Sequence, residues 1–298
     1  MTGAVTPRVS PLSSLDFGER TLAGASTSEP VRVRWLGTAG FSLSYQGTIV
    51  LIDPYLTRAS LFACLRGRLS PDHARLAKYL PRADAIVLGH THFDHALDAP
   101  SIAKRTSARV FGSKSAAALC RLEGVPAAQI HDVEAVGRVV EAEVGPFRLR
   151  FVPSAHSRLL FGRVPLAGEI EDCDDVPRRA QDYACGAVFS VEIRVAGKTI
   201  YHLGSADLIE AAITTRNVDL LLLCVAGWTK TPHFAPRLMR SLSPGAILLS
   251  HWDDFTKPLE RGPSLLPAMA VPRLVDALGG YHRDTRVGTL PLLGELSL

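Results

Sequence analysis

The sequence contains no Cys-x-x-Cys pair, no run of five or more basic residues and no apolar stretch near the ~20 residues that would span a bilayer. Its five cysteines, Cys64, Cys120, Cys173, Cys185 and Cys224, are odd in number and widely spaced, which argues against a disulfide framework and against a thiolate zinc site. They read as buried or incidental thiols in a reducing compartment. Aromatic residues make up 7% and the formal net charge is +4, so there is no clear nucleic-acid signal. The first thirty residues lack the apolar core of a secretory signal and mix Ser, Thr, Gly and Pro with scattered charges. Residues 1–30 are therefore expected to be a flexible or loosely docked arm, and residues 31–298 a single domain. With no transmembrane segment, a soluble cytoplasmic protein is expected; a homo-oligomer or peripheral membrane contact would be compatible with it.

What is present is a chain of 298 residues, 47% of them hydrophobic, enough to bury a large core. Short β-rich runs at Val31–Leu36, Phe41–Tyr45 and Thr48–Ile52, broken at Gly37–Gly40 and Gln46–Gly47, predict an antiparallel meander. Its third strand ends at Asp53–Pro54. Helices are predicted at Asp72–Leu80, Asp98–Lys104, Ser113–Glu123, Pro236–Ser241 and Leu265–Leu278. Strands are predicted at Ala85–Leu88, Ala108–Gly112, Val136–Val144, Phe147–Val152, Ala187–Val195, Thr199–Leu203, Val218–Val225 and Ala246–Leu249. Gly162–Cys185 carries two proline breaks and the acidic residues Glu169, Glu171, Asp172, Asp174 and Asp175, and is expected to be a long exposed loop near the mouth of the site, its charges solvated. Leu56–Arg68 has no decodable motif; a substrate lip is one expectation for it. The alternation of strand and helix predicts a layered α/β protein with two β-sheets inside and helices outside.

The polar residues gather where strands end. Gly89–Leu97 reads GHTHFDHAL, placing His90, His92, Asp94 and His95 within six residues just beyond a buried strand. Imidazole and carboxylate are the donors that zinc and iron(II) prefer. His90 and His92 can share one side of an extended backbone, with Asp94 and His95 reaching a second position nearby. Later strand ends present His156, Asp207 and His251 in turn. Asp53 either caps a turn or orients a metal-bound histidine from behind. Gly227–His233, a Gly- and Pro-broken loop after a buried strand, offers Trp228, Lys230 and His233 as candidate substrate contacts, with packing the competing role for Trp228 and Trp252. His73, His131, His202 and His282 are expected at the surface, on helices or, for His202, packed beside the site.

HTHFDH fits the His-x-His-x-Asp-His motif of the metallo-β-lactamase-fold hydrolases, and His156, Asp207 and His251 follow in the order of that family's remaining ligands. The resemblance covers the chain from Val31 onward. Leu51–Pro54 (LIDP) and Ser250–Phe255 (SHWDDF) look more like the ascorbate-6-phosphate lactonase branch than the antibiotic-degrading lactamases. The resemblance implies a four-layer αββα sandwich of two mixed β-sheets flanked by helices. It also implies two divalent ions, zinc first, with manganese or iron as alternatives. By similarity, His90, His92 and His156 hold one ion, Asp94, His95 and His251 the other, and Asp207 bridges. Here the sequence departs from the family: Gly204–Ser205 stands where Gly-Asp is usual, and the nearest carboxylate, Asp207, comes two residues later.

Such a site generates hydroxide near neutral pH without a serine or cysteine nucleophile. The expected activity is therefore metal-dependent hydrolysis of a lactone, ester or phosphodiester in a small substrate, with Asp94 both ligating metal and passing a proton. A positive pocket would favour an anionic substrate. Two other classes fit the same ligands: an iron-dependent redox enzyme, and a non-catalytic metal-binding protein.

Overall fold

The computed structural model describes residues 12–17, 29–134, 140–266, 269–281 and 285–298. The chain opens with β1 (Arg32–Gly37), β2 (Gly40–Tyr45) and β3 (Thr48–Ile52), then helices α1 (Leu61–Arg66) and α2 (His73–Tyr79). β4 (Ala85–Val87), α3 (Phe93–Ala96), α4 (Ala99–Thr106), β5 (Arg109–Gly112), α5 (Lys114–Leu122) and β6 (Ile130–Asp132) complete the first half. The second half runs β7 (Val140–Val144), β8 (Phe147–Pro153), β9 (Phe189–Val195), β10 (Lys198–Leu203), β11 (Leu220–Cys224), α6 (Phe234–Leu242) and β12 (Ala246–Ser250). It closes with α7 (Val271–Gly279), β13 (Arg286–Gly288) and β14 (Glu295–Ser297).

These strands form two seven-stranded sheets, ordered β14-β1-β2-β3-β4-β5-β6 and β13-β12-β11-β10-β9-β8-β7. Each sheet is mixed in the same way. β1 to β3 pair antiparallel and β3 to β6 parallel. β7 to β10 pair antiparallel and β10 to β13 parallel. The layered αββα expectation holds, and β4 shows why its sequence is apolar throughout. Ala85 and Val87 face the core between the sheets, whereas Ile86 and Leu88 face the core shared with Leu76, Ile102 and Leu119. A parallel strand covered on both sides has no polar face to alternate with.

Local chemistry fixes the helix starts. Asp72 accepts a hydrogen bond from the Arg75 amide at the head of α2, and Ser113 accepts one from Ala116 at the head of α5. The helix predicted from Leu265 starts later, at Val271 with a proline in its first turn, because Leu265 is engaged in a β-bridge with Asp253. α1 was not foreseen, since its Leu61, Phe62 and Leu65 are all exposed and leave no buried stripe to read. β6, β13 and β14, each three residues long, are too short to show a period.

Within the expected arm, residues 12–17 are docked. Leu12 and Phe17 enter the main core, the Phe17 amide donates to the Thr289 carbonyl, and the Thr289 amide donates to that of Leu15. Residues 1–11 and 18–28 of the arm, His282 and residues 135–139 lie outside the described residues. The Gly162–Cys185 segment keeps its acidic residues in solvent but is not wholly exposed: Ile170, Tyr183 and Cys185 are buried and anchor it. Among the described residues, no helix is long and apolar enough to cross a membrane.

Candidate metal centre

The motif sits where β4 ends. His92 is the N-cap of α3, so Asp94 and His95 leave the first turn of that helix while His90 leaves the extended segment before it. His156 follows β8 and His251 follows β12, both loops opening at the same end of the two sheets. Six side chains converge. One ligand atom each from His90, His92 and His156 lies within 4.8 Å of the others, and the same holds for Asp94, His95 and His251. The rings of His90 and His95 are 3.9 Å apart between centroids, which joins the two groups into one cluster.

The acceptors behind this cluster determine which nitrogens face into it. His92 places Nε2 2.9 Å from the Pro165 carbonyl oxygen, and His156 places Nδ1 2.7 Å from that of Ser157. His95 Nδ1 is 2.9 Å from Asp53 Oδ2, while Asp53 Oδ1 accepts a 2.7 Å hydrogen bond from the Gly89 amide. Each outer nitrogen thus donates, leaving a lone pair on the inner one, as a divalent ion requires. His90 Nε2 and His92 Nδ1 face each other at 3.0 Å, and His90 Nδ1 has no hydrogen-bond partner among the described residues. Crowded lone-pair nitrogens beside a carboxylate fit a cation, and this donor set of imidazoles with one carboxylate suits zinc, iron or manganese.

Burial pushes His90 well below its ordinary pKa, helped by the neighbouring His95 and His92, and burial likewise lowers His92 and brings His156 down to about 4. These rings are neutral at physiological pH and so able to ligate. His95 goes the other way: burial opposes its charge, but the charge and hydrogen bond of Asp53 outweigh it and raise the pKa. Burial would raise Asp94, yet the hydrogen bond from His251 and the charges of His95, His251 and His92 hold it well below the usual carboxylate range. Asp94 Oδ2 lies 3.2 Å from His251 Nε2.

His251 adopts a left-handed backbone, with φ of 58°, a conformation that costs energy in a non-glycine residue. It is held there because its amide donates to the Thr38 carbonyl at 2.7 Å. Thr38 is tied in turn: its amide donates to Asp253 Oδ1, whose Oδ2 takes a 2.7 Å contact from Arg58 Nη1. Arg58 also donates to the carbonyls of Asp254 and Lys257, and both Arg58 and Asp253 side chains are fully buried. Gly37, with φ of 94°, lies under this ion pair, and a Cβ there would stand 2.6 Å from Arg58 Nη1. Arg58, Asp253 and Thr38 escaped the sequence reading; only the acidic pair after His251 hinted at them.

Four of the sequence-derived candidates lie elsewhere. Asp207 belongs to neither ligand group. Its carboxylate accepts hydrogen bonds from Arg237 and from the Leu208 amide, which draw it away from the cavity. Ser205 takes the position beside the cavity, its Oγ accepting from the Ser157 amide at 3.1 Å. Asp207→Ala is therefore expected to leave metal content per chain unchanged by elemental mass spectrometry; loss of one equivalent would return this carboxylate to the centre. Trp228 is packed, its indole donating to the Met269 carbonyl and Arg273 lying over its ring. Lys230 and His233 are exposed, and neither lines the cavity. His202 is buried behind the site, its Nε2 3.1 Å from the Ala39 carbonyl oxygen.

A family model for the beta-lactamase superfamily domain matches residues 48–252. A protein from Thermodesulfovibrio yellowstonii, named a UPF0173 metal-dependent hydrolase, is 26% identical over 231 residues, covering 75% of this chain and 79% of that protein. Among solved structures, Igni18, a metallo hydrolase from Ignicoccus hospitalis, superposes with a TM-score of 0.54 at 16% identity, over 91% of this chain and 99% of that one. CmlA, a diiron β-hydroxylase from Streptomyces venezuelae, gives 0.56 at 15% identity over 92% of this chain and 55% of that one. Those two likenesses are of fold alone. With the superfamily model spanning more than half of the sequence and its fold reproduced in both sheets, the chain belongs to the metallo-β-lactamase superfamily.

Proposed function

We propose that the protein is a metal-dependent hydrolase whose centre holds two divalent ions, zinc foremost, and attacks a lactone, ester or phosphodiester bond. The observation that carries this reading is the six-residue cluster in which His92, His95 and His156 each have the outer ring nitrogen held by an acceptor. Bound there, divalent ions supply hydroxide at neutral pH and a Lewis acid for the oxygen of the bond attacked. The protein's own side chains do the rest. His90, His92 and His156 offer neutral nitrogens on one side, and Asp94, His95 and His251 complete the other. Asp94 lines the cavity and, as the family resemblance implies, would also pass a proton to the leaving group. Asp53 fixes the His95 ring from behind. The name of the Thermodesulfovibrio relative supports the reaction class, and the likeness of Leu51–Pro54 and Ser250–Phe255 to the lactonase branch supports a cyclic ester among the substrates. Free thiols throughout suit a cytoplasmic setting.

The test is metal content with turnover. Protein purified without chelator should carry close to two ions per chain and hydrolyse at least one member of a panel of esters, lactones and phosphodiesters. A chelator should remove that activity and added zinc or manganese restore it. A fully metallated protein inert to all three classes would overturn the reading, and a single tightly bound ion would reduce it to a mononuclear mechanism.

A further inference from the structure

The cavity over the ligand cluster has a volume of about 290 Å³, at the small end for a ligand site. Its lining combines His92, Asp94, His95, His156, His251 and Ser205 with the large apolar side chains of Phe93, Leu159, Leu166, Phe255, Leu266 and Met269. Among the described residues that line it there is no lysine or arginine, the side chains that recognise phosphate and carboxylate groups. The expectation of an anionic substrate held by a positive pocket therefore finds no cationic side chain to carry it.

The apolar lining continues outward. Leu166 lines the cavity and is 39% exposed, Leu265 beside Leu266 is also exposed, and Phe161, in the turn between Leu159 and Pro165, is 96% exposed. α1 exposes Leu61, Phe62 and Leu65, and the segment leading into it is tied to the cavity residue Phe93 through Tyr55, whose ring packs on Phe93 and whose hydroxyl accepts from the Ala59 amide. Leu166, both lining the cavity and partly in solvent, carries its apolar surface out to the rim.

We propose that the substrate is an uncharged ester or lactone bearing an extended apolar group, which lies along these apolar side chains and out over the Leu166 rim. The proposal rests on the hydrolase reading above and narrows its substrate. The reactive carbonyl sits over the ligand cluster, the polar part of the cavity together with Ser205. Water oxygen joins the carbonyl carbon, the acyl C–O bond breaks, and a proton from that water goes to the departing alkoxide, giving acid and alcohol.

The test pairs turnover with binding. For metal-loaded protein, kcat/KM on p-nitrophenyl esters from acetate to decanoate should rise roughly fourfold per methylene until the apolar lining is filled. Bis(p-nitrophenyl) phosphate should be at least about 100-fold slower, reflecting the missing cationic contacts. Leu166→Asp and Leu266→Asp should flatten the chain-length slope; Leu159→Ser serves if either fails to fold. Independently of turnover, neutral 2-alkanones of increasing length should raise the melting temperature of the protein progressively. A flat chain-length profile in both measurements, or a preference for the phosphodiester, would overturn the proposal. Chain-dependent ketone binding without hydrolysis of any ester would instead sink the hydrolase reading and support the apolar site.

Discussion

Replacement of His90 by alanine is expected to lower metal-dependent hydrolysis on the order of 10³-fold, the several kcal/mol that a metal contributes to a hydrolytic transition state. His90 is 1% exposed and stands between the two ligand groups, its Nε2 facing His92 and its ring against that of His95. Removing the imidazole deprives one group of a donor and leaves water or nothing in its place. Elemental mass spectrometry should show a loss of bound metal in parallel with kcat/KM. A melting curve separates this from unfolding, because deleting a ring among polar side chains takes away little apolar contact. A loss smaller than tenfold with metal retained would mean that this histidine is not a ligand.

Asp253→Ala is expected to cost about 3–5 kcal/mol of stability, because it leaves the Arg58 guanidinium charged, fully buried and without its carboxylate. For a protein of this size that is a fall of roughly 5–15 °C in Tm. The same substitution strands the Thr38 amide, and Thr38 holds His251 in its left-handed conformation. Metal affinity should therefore fall as well, by about 10- to 100-fold, the usual effect of losing a group that orients ligands from behind. The double variant Arg58→Met/Asp253→Leu should be less destabilised than Asp253→Ala, since no unpaired charge remains. Calorimetric melts of the single and double variants check this. A single variant within 1 kcal/mol of the parent would show that the buried pair is replaceable by water.

The ligand cluster was legible because its chemistry is local. Four of its six members lie within His90–His95, and the apolar run before them announces a strand whose end must carry them. His156 and His251 were legible for the same reason, each following a β-rich run. The role of Asp53 behind His95 was one of two roles read from Asp53–Pro54, and its two hydrogen bonds suit the orienting one. Asp207 read as a ligand only through its place in a familiar order. It lies in a segment where a two-residue shift and the competing pull of Arg237 decide where its carboxylate goes, and neither shows in the linear pattern. Trp228, Lys230 and His233 likewise follow a buried strand, yet the turn of 3₁₀-helix at Trp228–Lys230 swings them away from the cavity.

Short-range physics, then, settled in the sequence itself the strand and helix alternation and the layered class, and pointed to most of the side chains that gather in the candidate centre: periodicity, capping residues and breakers act over a few neighbours. Tertiary structure alone decided the three-residue strands that complete both sheets, the buried Arg58–Asp253 pair and the apolar side chains that line the cavity with the ligands. Each joins residues far apart in the chain, as Arg58 and Asp253 do across 195 positions. Such contacts depend on how two sheets stack and where their loops meet, and a hydrophobic residue in a loop has the same appearance in sequence whether it faces solvent, the core or a substrate.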